Sequence, residues 1–163
     1  MKINKEVKLE YLFLAVILVY VTLHLLEEGL FGFEIWAGKR WGIPNYTLVK
    51  WLISNAFFLF FLILGYVVYR INKEKFLPIG VGIIFWGLFN ALNHIVFSLI
   101  FLEYSPGLVS GLLYILLTVF ALRAVHKMNK MSTRLIVLSL LCGVAYWVLP
   151  MASFVTLYIV TGI

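Results

Sequence analysis

A histidine and two adjacent glutamates stand inside an otherwise apolar stretch, in the order His24-Leu25-Leu26-Glu27-Glu28. The stretch from Leu12 to Phe33 is long enough to cross a bilayer, because about 20 apolar residues suffice. A charged side chain near the bilayer centre costs about 2.5–3.5 kcal/mol. These side chains therefore need a partner, a proton or a metal ion, and ionisable groups at such positions indicate a functional site.

A second polar set, Asn90 and His94, stands in the third apolar stretch. Side chains four residues apart share one face of a helix, so His24 projects with Glu28, and Asn90 projects with His94. At 1.5 Å of rise per residue, both sets lie one to two turns from the same side of the bilayer. Asn55, in the second stretch, lies at a similar depth. We expect these side chains to meet in one layer of a helical bundle.

This set of residue types predicts a metal site with His24, Glu28 and His94 as ligands. Two histidines and one carboxylate suit a catalytic zinc with an open position for water, and they also suit iron(II). Glu27 is predicted to be the general base for the metal-bound water, whose pKa zinc lowers to about 7. Asn90 is predicted to orient a ligand or a substrate carbonyl.

Two residues of the last apolar stretch, Tyr146 and Ser153, are predicted to line a substrate pocket together with Asn55. Both are close to Pro150, and a proline inside a helix kinks it and frees backbone groups that neighbours must satisfy. Plain helix packing is the preferred interpretation of both residues, and the pocket role is the alternative.

The composition is that of a membrane protein. The 163 residues are 64% hydrophobic and 12% charged, whereas soluble domains have about 25% charged residues. The net charge of +6 does not indicate nucleic-acid binding, because the basic residues are scattered between apolar spans as loop charges are. We expect one all-α domain, an integral membrane protein of a prokaryotic plasma membrane, in contact with lipids.

Five transmembrane spans are predicted, over residues 10–33, 46–69, 76–102, 106–125 and 134–160. Ten Lys and Arg residues fall in the loops on one side of the spans and three fall on the other. Because basic loops stay in the cytoplasm, the N-terminus is predicted to be cytoplasmic and the C-terminus external. The loop over residues 34–45 is then external, and it either lies along the membrane surface or folds over the bundle.

Three short segments in order resemble the HXXEE-motif membrane proteins, a family known by its motif. These segments are His24-x-x-Glu27-Glu28, Asn90-x-x-x-His94 and Tyr104-Ser105-Pro106-Gly107. The resemblance covers the chain from about His24 to Gly107. It implies that these positions act together, and it implies no substrate.

The inventory of the site is also similar to that of the glutamate-class CAAX prenyl proteases of membranes. Those enzymes use paired glutamates, two histidines and an asparagine from several helices, with an arginine shortly after the glutamate pair. Gly32 occupies the matching position here. We treat this likeness as an analogy between sites and not as kinship.

The first functional hypothesis is a metal-dependent hydrolase, with zinc as the expected metal and iron as the alternative. Its substrate would be an amphipathic molecule, such as a lipid or a lipidated peptide, reached in the outer half of the bilayer. The second hypothesis is a small transporter or a proton- or cation-binding protein, for which five spans are few unless it forms a homo-oligomer. A third is a scaffold in which the polar cluster fixes the helix register.

Overall fold

The computed structural model describes residues 5–161, and the side chains from residue 9 onward. Lys2, which contributes to the predicted orientation, lies outside this range. The described chain is helical and contains no strand. In order, the elements are α1 (Lys5–Val19), a π-helical segment (Tyr20–His24), α2 (Leu25–Leu30), α3 (Phe33–Arg40), α4 (Leu48–Ile71), α5 (Leu77–Phe101), α6 (Leu108–Lys127) and α7 (Thr133–Thr161).

Five helical stretches of the described chain are long and apolar enough to cross a membrane: Leu9–Leu30, Leu48–Ile71, Leu77–Phe101, Leu108–Lys127 and Thr133–Thr161. They confirm the five predicted spans. The largest difference is at the end of the first span, which was predicted to reach Phe33 and ends at Leu30. Gly32 explains the earlier end, because its φ of +65° is left-handed and closes the helix before α3 begins.

The centre of the bundle is α5, which packs against α1, α4, α6 and α7. A side chain at Gly82 would place its Cβ 2.5 Å from Cβ of Cys142 on α7, so glycine permits this close helix contact. Trp86 is almost fully buried and packs edge-on against Tyr20, with ring centroids 4.9 Å apart. These contacts bring α5 against the π-helical segment of the first span.

The short helix α3 folds over one end of the bundle, which is the second of the two arrangements predicted for the loop over residues 34–45. Two of its residues, Phe33 and Ala37, are buried against the bundle. The Phe33 ring lies 5.9 Å from the His94 ring, and the Trp41 ring lies 5.6 Å from the Phe97 ring of α5. An aromatic layer therefore closes the end of the bundle that carries α3.

An ion pair between Arg40 and Glu103 ties the end of α3 to the loop between α5 and α6. Arg40 Nε donates to Glu103 Oε1 over 2.5 Å, and Nη2 donates to Oε2. The Arg40 guanidinium holds the pKa of Glu103 below its usual value. A two-pronged contact of this kind fixes direction as well as distance.

We expect Arg40→Gln to loosen α3 and to expose Trp36 and Trp41 to water. Glu103 is ionised above the ordinary carboxyl pKa of 4.5, so the pair holds α3 fully at neutral pH and is lost as the pH falls through the lowered pKa of Glu103. Acrylamide quenching of tryptophan fluorescence should rise in the variant at pH 7, and in the wild type only on acidification. Lys39→Gln is the matched control, and equal quenching in Arg40→Gln and Lys39→Gln would contradict the role of the pair.

Candidate metal centre

Three buried side chains from two spans converge on one point beneath Phe33, the first residue of α3. His24 is 1% exposed, His94 is 2% exposed and Glu28 is 4% exposed. Glu28 Oε1 lies 3.4 Å from Nε2 of His24 and 3.5 Å from Nε2 of His94. One ligand atom from each residue lies within 4.8 Å of the others. The structure thus brings together the three predicted metal ligands.

The first span reaches this point through an irregular turn. Tyr20–His24 is π-helical, and the N–H of Leu25 donates to the carbonyl of Tyr20. A π-helical turn holds an extra residue and is frequent at functional sites. It changes the direction in which the following residues project, so His24, its last residue, and Glu28 both point towards α5.

Serine hydroxyls hold the second nitrogen of each imidazole. Nδ1 of His24 lies 2.8 Å from Oγ of Ser110, and Nδ1 of His94 lies 2.9 Å from Oγ of Ser105. Ser110 Oγ donates its single hydrogen to the carbonyl of Gly107, 3.3 Å away. When the hydroxyl donates there, it accepts a hydrogen from Nδ1 of His24, and the lone pair of that imidazole is on Nε2.

Glu28 is oriented in the same manner. Its Oε2 accepts a hydrogen bond of 3.0 Å from the indole Nε1 of Trp51. Its Oε1 is left for the two histidines. Outer hydrogen bonds that fix the orientation of each ligand are typical of protein metal sites.

The atoms that face one another are a carboxylate oxygen and two imidazole nitrogens. Nε2 of His24 has no hydrogen-bond partner among the described residues and faces the Glu28 carboxylate. A lone pair and a carboxylate repel each other in a buried site unless a cation lies between them. Ligand atoms about 2.0–2.2 Å from a tetrahedral zinc lie about 3.3–3.6 Å apart, and the two measured separations fall in that range.

A cavity of about 110 Å³ adjoins the cluster. Asn90, predicted to assist catalysis, lines it and is 6% exposed, and its Oδ1 has no partner within the described chain. Asn55, predicted to line the pocket, also lies on its wall and accepts a hydrogen bond of 2.5 Å from the hydroxyl of Tyr20. The remaining wall is largely aromatic and includes Phe58 and Trp86.

Glu27, predicted to be the general base, is not among the three side chains that converge. Its carboxylate accepts backbone hydrogen bonds at the start of α6, from Gly107 at 3.2 Å, Val109 at 2.9 Å and Ser110 at 2.7 Å. The Tyr104 hydroxyl also donates to it. Burial, aided by this hydrogen bond, raises the pKa of Tyr104, so the phenol stays protonated and donates. Adjacent helical residues project about 100° apart, so Glu27 and Glu28 face different neighbours.

We expect Glu27→Gln to destabilise the bundle, because an amide replaces a carboxylate that caps a helix N-terminus. Hydrogen bonds to charged groups contribute about 1.5–3 kcal/mol, and the helix dipole favours an anion at this position. Thermal unfolding in detergent should show a lower midpoint in the variant. A general-base role predicts the opposite pattern, an unchanged midpoint with slower turnover.

In the last span, residues next to the predicted ones line the cavity. Trp147, Met151 and Phe154 line the cavity, whereas Tyr146 and Ser153 do not. The Tyr146 hydroxyl donates to the carbonyl of Ile79 over 3.1 Å and serves helix packing. Tyr146 and Ser153 are seven residues apart, as are Trp147 and Phe154, and the two pairs lie about 100° apart around the helix. Helical periodicity alone therefore could not show which pair lines the cavity.

Sequence reasoning gave no individual role to Trp51, Ser105 or Ser110, which hold the three ligands in place. Ser105 belongs to the segment Tyr104-Ser105-Pro106-Gly107 that carries the family resemblance, but so short a motif does not show where a side chain points. The signal that was available is a pair of serines flanking the start of an apolar span at the depth of two buried histidines.

Searches of the curated proteins and of the solved structures found no match. A family described as "Protein of unknown function with HXXEE motif" matches residues 15–122, which include the whole cluster and the turn that holds it. The chain therefore belongs to the HXXEE-motif family.

Proposed function

We propose that the protein is an integral membrane metalloenzyme that hydrolyses an amphipathic substrate. His24, Glu28 and His94 would hold one divalent metal, with zinc as the first candidate and iron as the second. The observation that carries this proposal is the convergence of two imidazole nitrogens on a single carboxylate oxygen, at 3.4 and 3.5 Å.

A metal accounts for this convergence better than a proton does. A proton shared between an imidazole and a carboxylate gives a hydrogen bond of about 2.7–2.9 Å, shorter than either measured separation. One proton can also bridge only one of the two pairs, whereas one metal ion accepts all three ligands. Nε2 of His24, which is buried without a hydrogen-bond partner among the described residues and faces a carboxylate, favours the same interpretation.

The adjoining cavity supplies the remaining parts of a hydrolytic site. Zinc would supply a bound water with a pKa of about 7, so hydrolysis near neutral pH needs no further carboxylate. The amide of Asn90 can bind the carbonyl oxygen of a substrate, and the aromatic wall excludes bulk water. Glu27 contributes indirectly, because it holds the turn with Ser105 and the start of α6 with Ser110 in place.

The charge distribution supports placing this site in the outer half of a plasma membrane. Ten of the thirteen Lys and Arg residues fall on one side of the spans in the sequence, which favours a cytoplasmic N-terminus. The cluster lies within the apolar spans, on the α3 side. A substrate of the bilayer, such as a lipid or a lipidated peptide, reaches that depth without crossing water.

The test is metal content and ester hydrolysis measured on the same preparation. We expect one equivalent of metal by elemental mass spectrometry, and hydrolysis of 4-nitrophenyl butyrate that stops with 1,10-phenanthroline and returns with added zinc or iron. Asn90→Leu should keep the metal and lose about 10²–10³-fold in turnover, the cost of removing one such hydrogen-bond donor. Protein purified without chelator that contains no metal would refute the proposal and favour the proton- or cation-binding alternative.

A further inference from the structure

A second, shallower cavity on the lipid-facing side of the bundle adjoins the cavity beside the three ligands. We name it the α5–α7 groove, and it is lined by Phe89, Asn93, Val144 and Trp147, with a volume of about 260 Å³. Asn93 and Trp147 also line the cavity beside the metal ligands. These two side chains therefore form the partition between the groove and the site.

We propose that the substrate carries an acyl chain that lies in the α5–α7 groove, while its head reaches the metal centre past Trp147. The proposal rests on the proposed function for the statement that the occupant is a substrate. The expected substrate class is lipids with a single long acyl chain next to an ester or carboxyl head.

The volumes of the cavity and of the groove indicate which end of the substrate each would hold. Drug-sized ligands occupy pockets of about 300–1,000 Å³, so a cavity of about 110 Å³ has room for a head and not for a long chain. The groove outside it is larger, and Val144 on its wall is 47% exposed on the apolar surface of a membrane span. A chain in the groove would thus be continuous with the bilayer.

The partition and its neighbourhood offer hydrogen-bond donors to the head. The indole Nε1 atoms of Trp86 and Trp147 are buried and have no partner in the part of the chain that the structure describes. Trp86 is only 1% exposed, so water from outside the bundle does not reach its N–H. Ester or carboxylate oxygens accept hydrogen bonds from such donors, which an alkyl chain cannot do.

Two other routes into the cavity compete with the groove. The route beneath α3 is closed by the Arg40–Glu103 pair and by Ala37, which is fully buried. The route between α4 and α7 passes Met151, which lines the cavity and is 39% exposed. The variant Met151→Trp therefore tests this route against the groove.

Photo-crosslinking tests the route without requiring turnover. A fatty acid of palmitate length, with a diazirine next to its carboxyl end, would be illuminated with the protein in nanodiscs, and labelled residues mapped by mass spectrometry. We expect label on Trp86 or Phe58, which line the cavity and are buried from the bilayer. Val144→Trp fills the groove and should abolish that label.

The matched control is Val137→Trp, because Val137 lies two turns away on the same lipid-facing surface of α7 and is 48% exposed. It should keep the cavity label. The absence of cavity label in the wild type, its survival in Val144→Trp, or its loss in Met151→Trp but not in Val144→Trp would each overturn the proposed route. Cavity label without ester hydrolysis would support the proposed route and refute the hydrolase function. Ester hydrolysis without cavity label would support the hydrolase function and refute the route.

Discussion

Replacing His94 by Ala should remove the metal while leaving the bundle folded and inserted. The substitution deletes one of three ligands and leaves Glu28 and His24 facing each other across a small void. Loss of a side chain that only hydrogen-bonds to a ligand typically lowers metal affinity about 10–100-fold. Loss of a ligand itself should therefore lower it more than about 100-fold. The helices depend on apolar packing that His94 shares with only a few aromatic neighbours, such as Phe33.

Elemental mass spectrometry of wild type and His94→Ala, purified side by side without chelator, measures this directly. His126→Ala is the matched control, because His126 is exposed at the end of α6 farthest from the cluster. Ser105→Ala should fall between the two, with affinity lowered about 10–100-fold, because it frees only Nδ1 of His94. Equal metal content in wild type and His94→Ala would place the metal elsewhere or exclude it.

The fold was largely predictable from the sequence, because hydropathy acts over whole spans. A stretch of more than twenty apolar residues identifies a membrane helix even where single residues are ambiguous, and charged loops separate the stretches. The ends of spans depend on single residues, and there the prediction was less accurate. The first span ends before its predicted residue because Gly32 adopts a left-handed conformation.

The site was predictable where a residue type has few alternative uses inside a membrane. His24, Glu28 and His94 share a depth and are costly to bury, so their meeting follows from the sequence. The choice of Glu28 over Glu27 follows as well, because Glu28 is four residues after His24 and shares its face. The π-helical turn Tyr20–His24, which directs both side chains towards α5, leaves no mark in hydrophobic periodicity and was not predicted.

The supporting side chains were beyond sequence reasoning for a different physical reason. A serine in a turn is common, and its value to a metal site depends on where the turn folds back. The turn after α5 reaches the bundle because Glu27 holds its backbone N–H groups, a contact between residues about eighty positions apart. Such a pairing comes from three-dimensional packing, which the local pattern does not contain.

Gly107→Ala should disable the metal centre from the backbone side. Gly107 has a φ of +104°, a conformation that strains other residues by about 1–3 kcal/mol. A Cβ at this position would also lie 2.6 Å from Cε1 of His94 and 2.7 Å from Cε1 of His24. The methyl group would push both imidazoles off the shared point, so we expect loss of metal as complete as in His94→Ala, together with a lower unfolding midpoint.

Variants of two other glycines distinguish the effect of backbone strain from that of a steric clash with the added Cβ. Gly42 has a φ of +65° and open space around its Cβ position, so Gly42→Ala tests backbone strain alone and should lower stability without loss of metal. A Cβ at Gly111 would meet Ala91 Cα at an ordinary 3.4 Å, and alanine is a better helix former than glycine, so Gly111→Ala should keep both metal and stability. Metal retained in Gly107→Ala would show that the two imidazoles do not need their present positions, and the three-ligand centre would then be wrong.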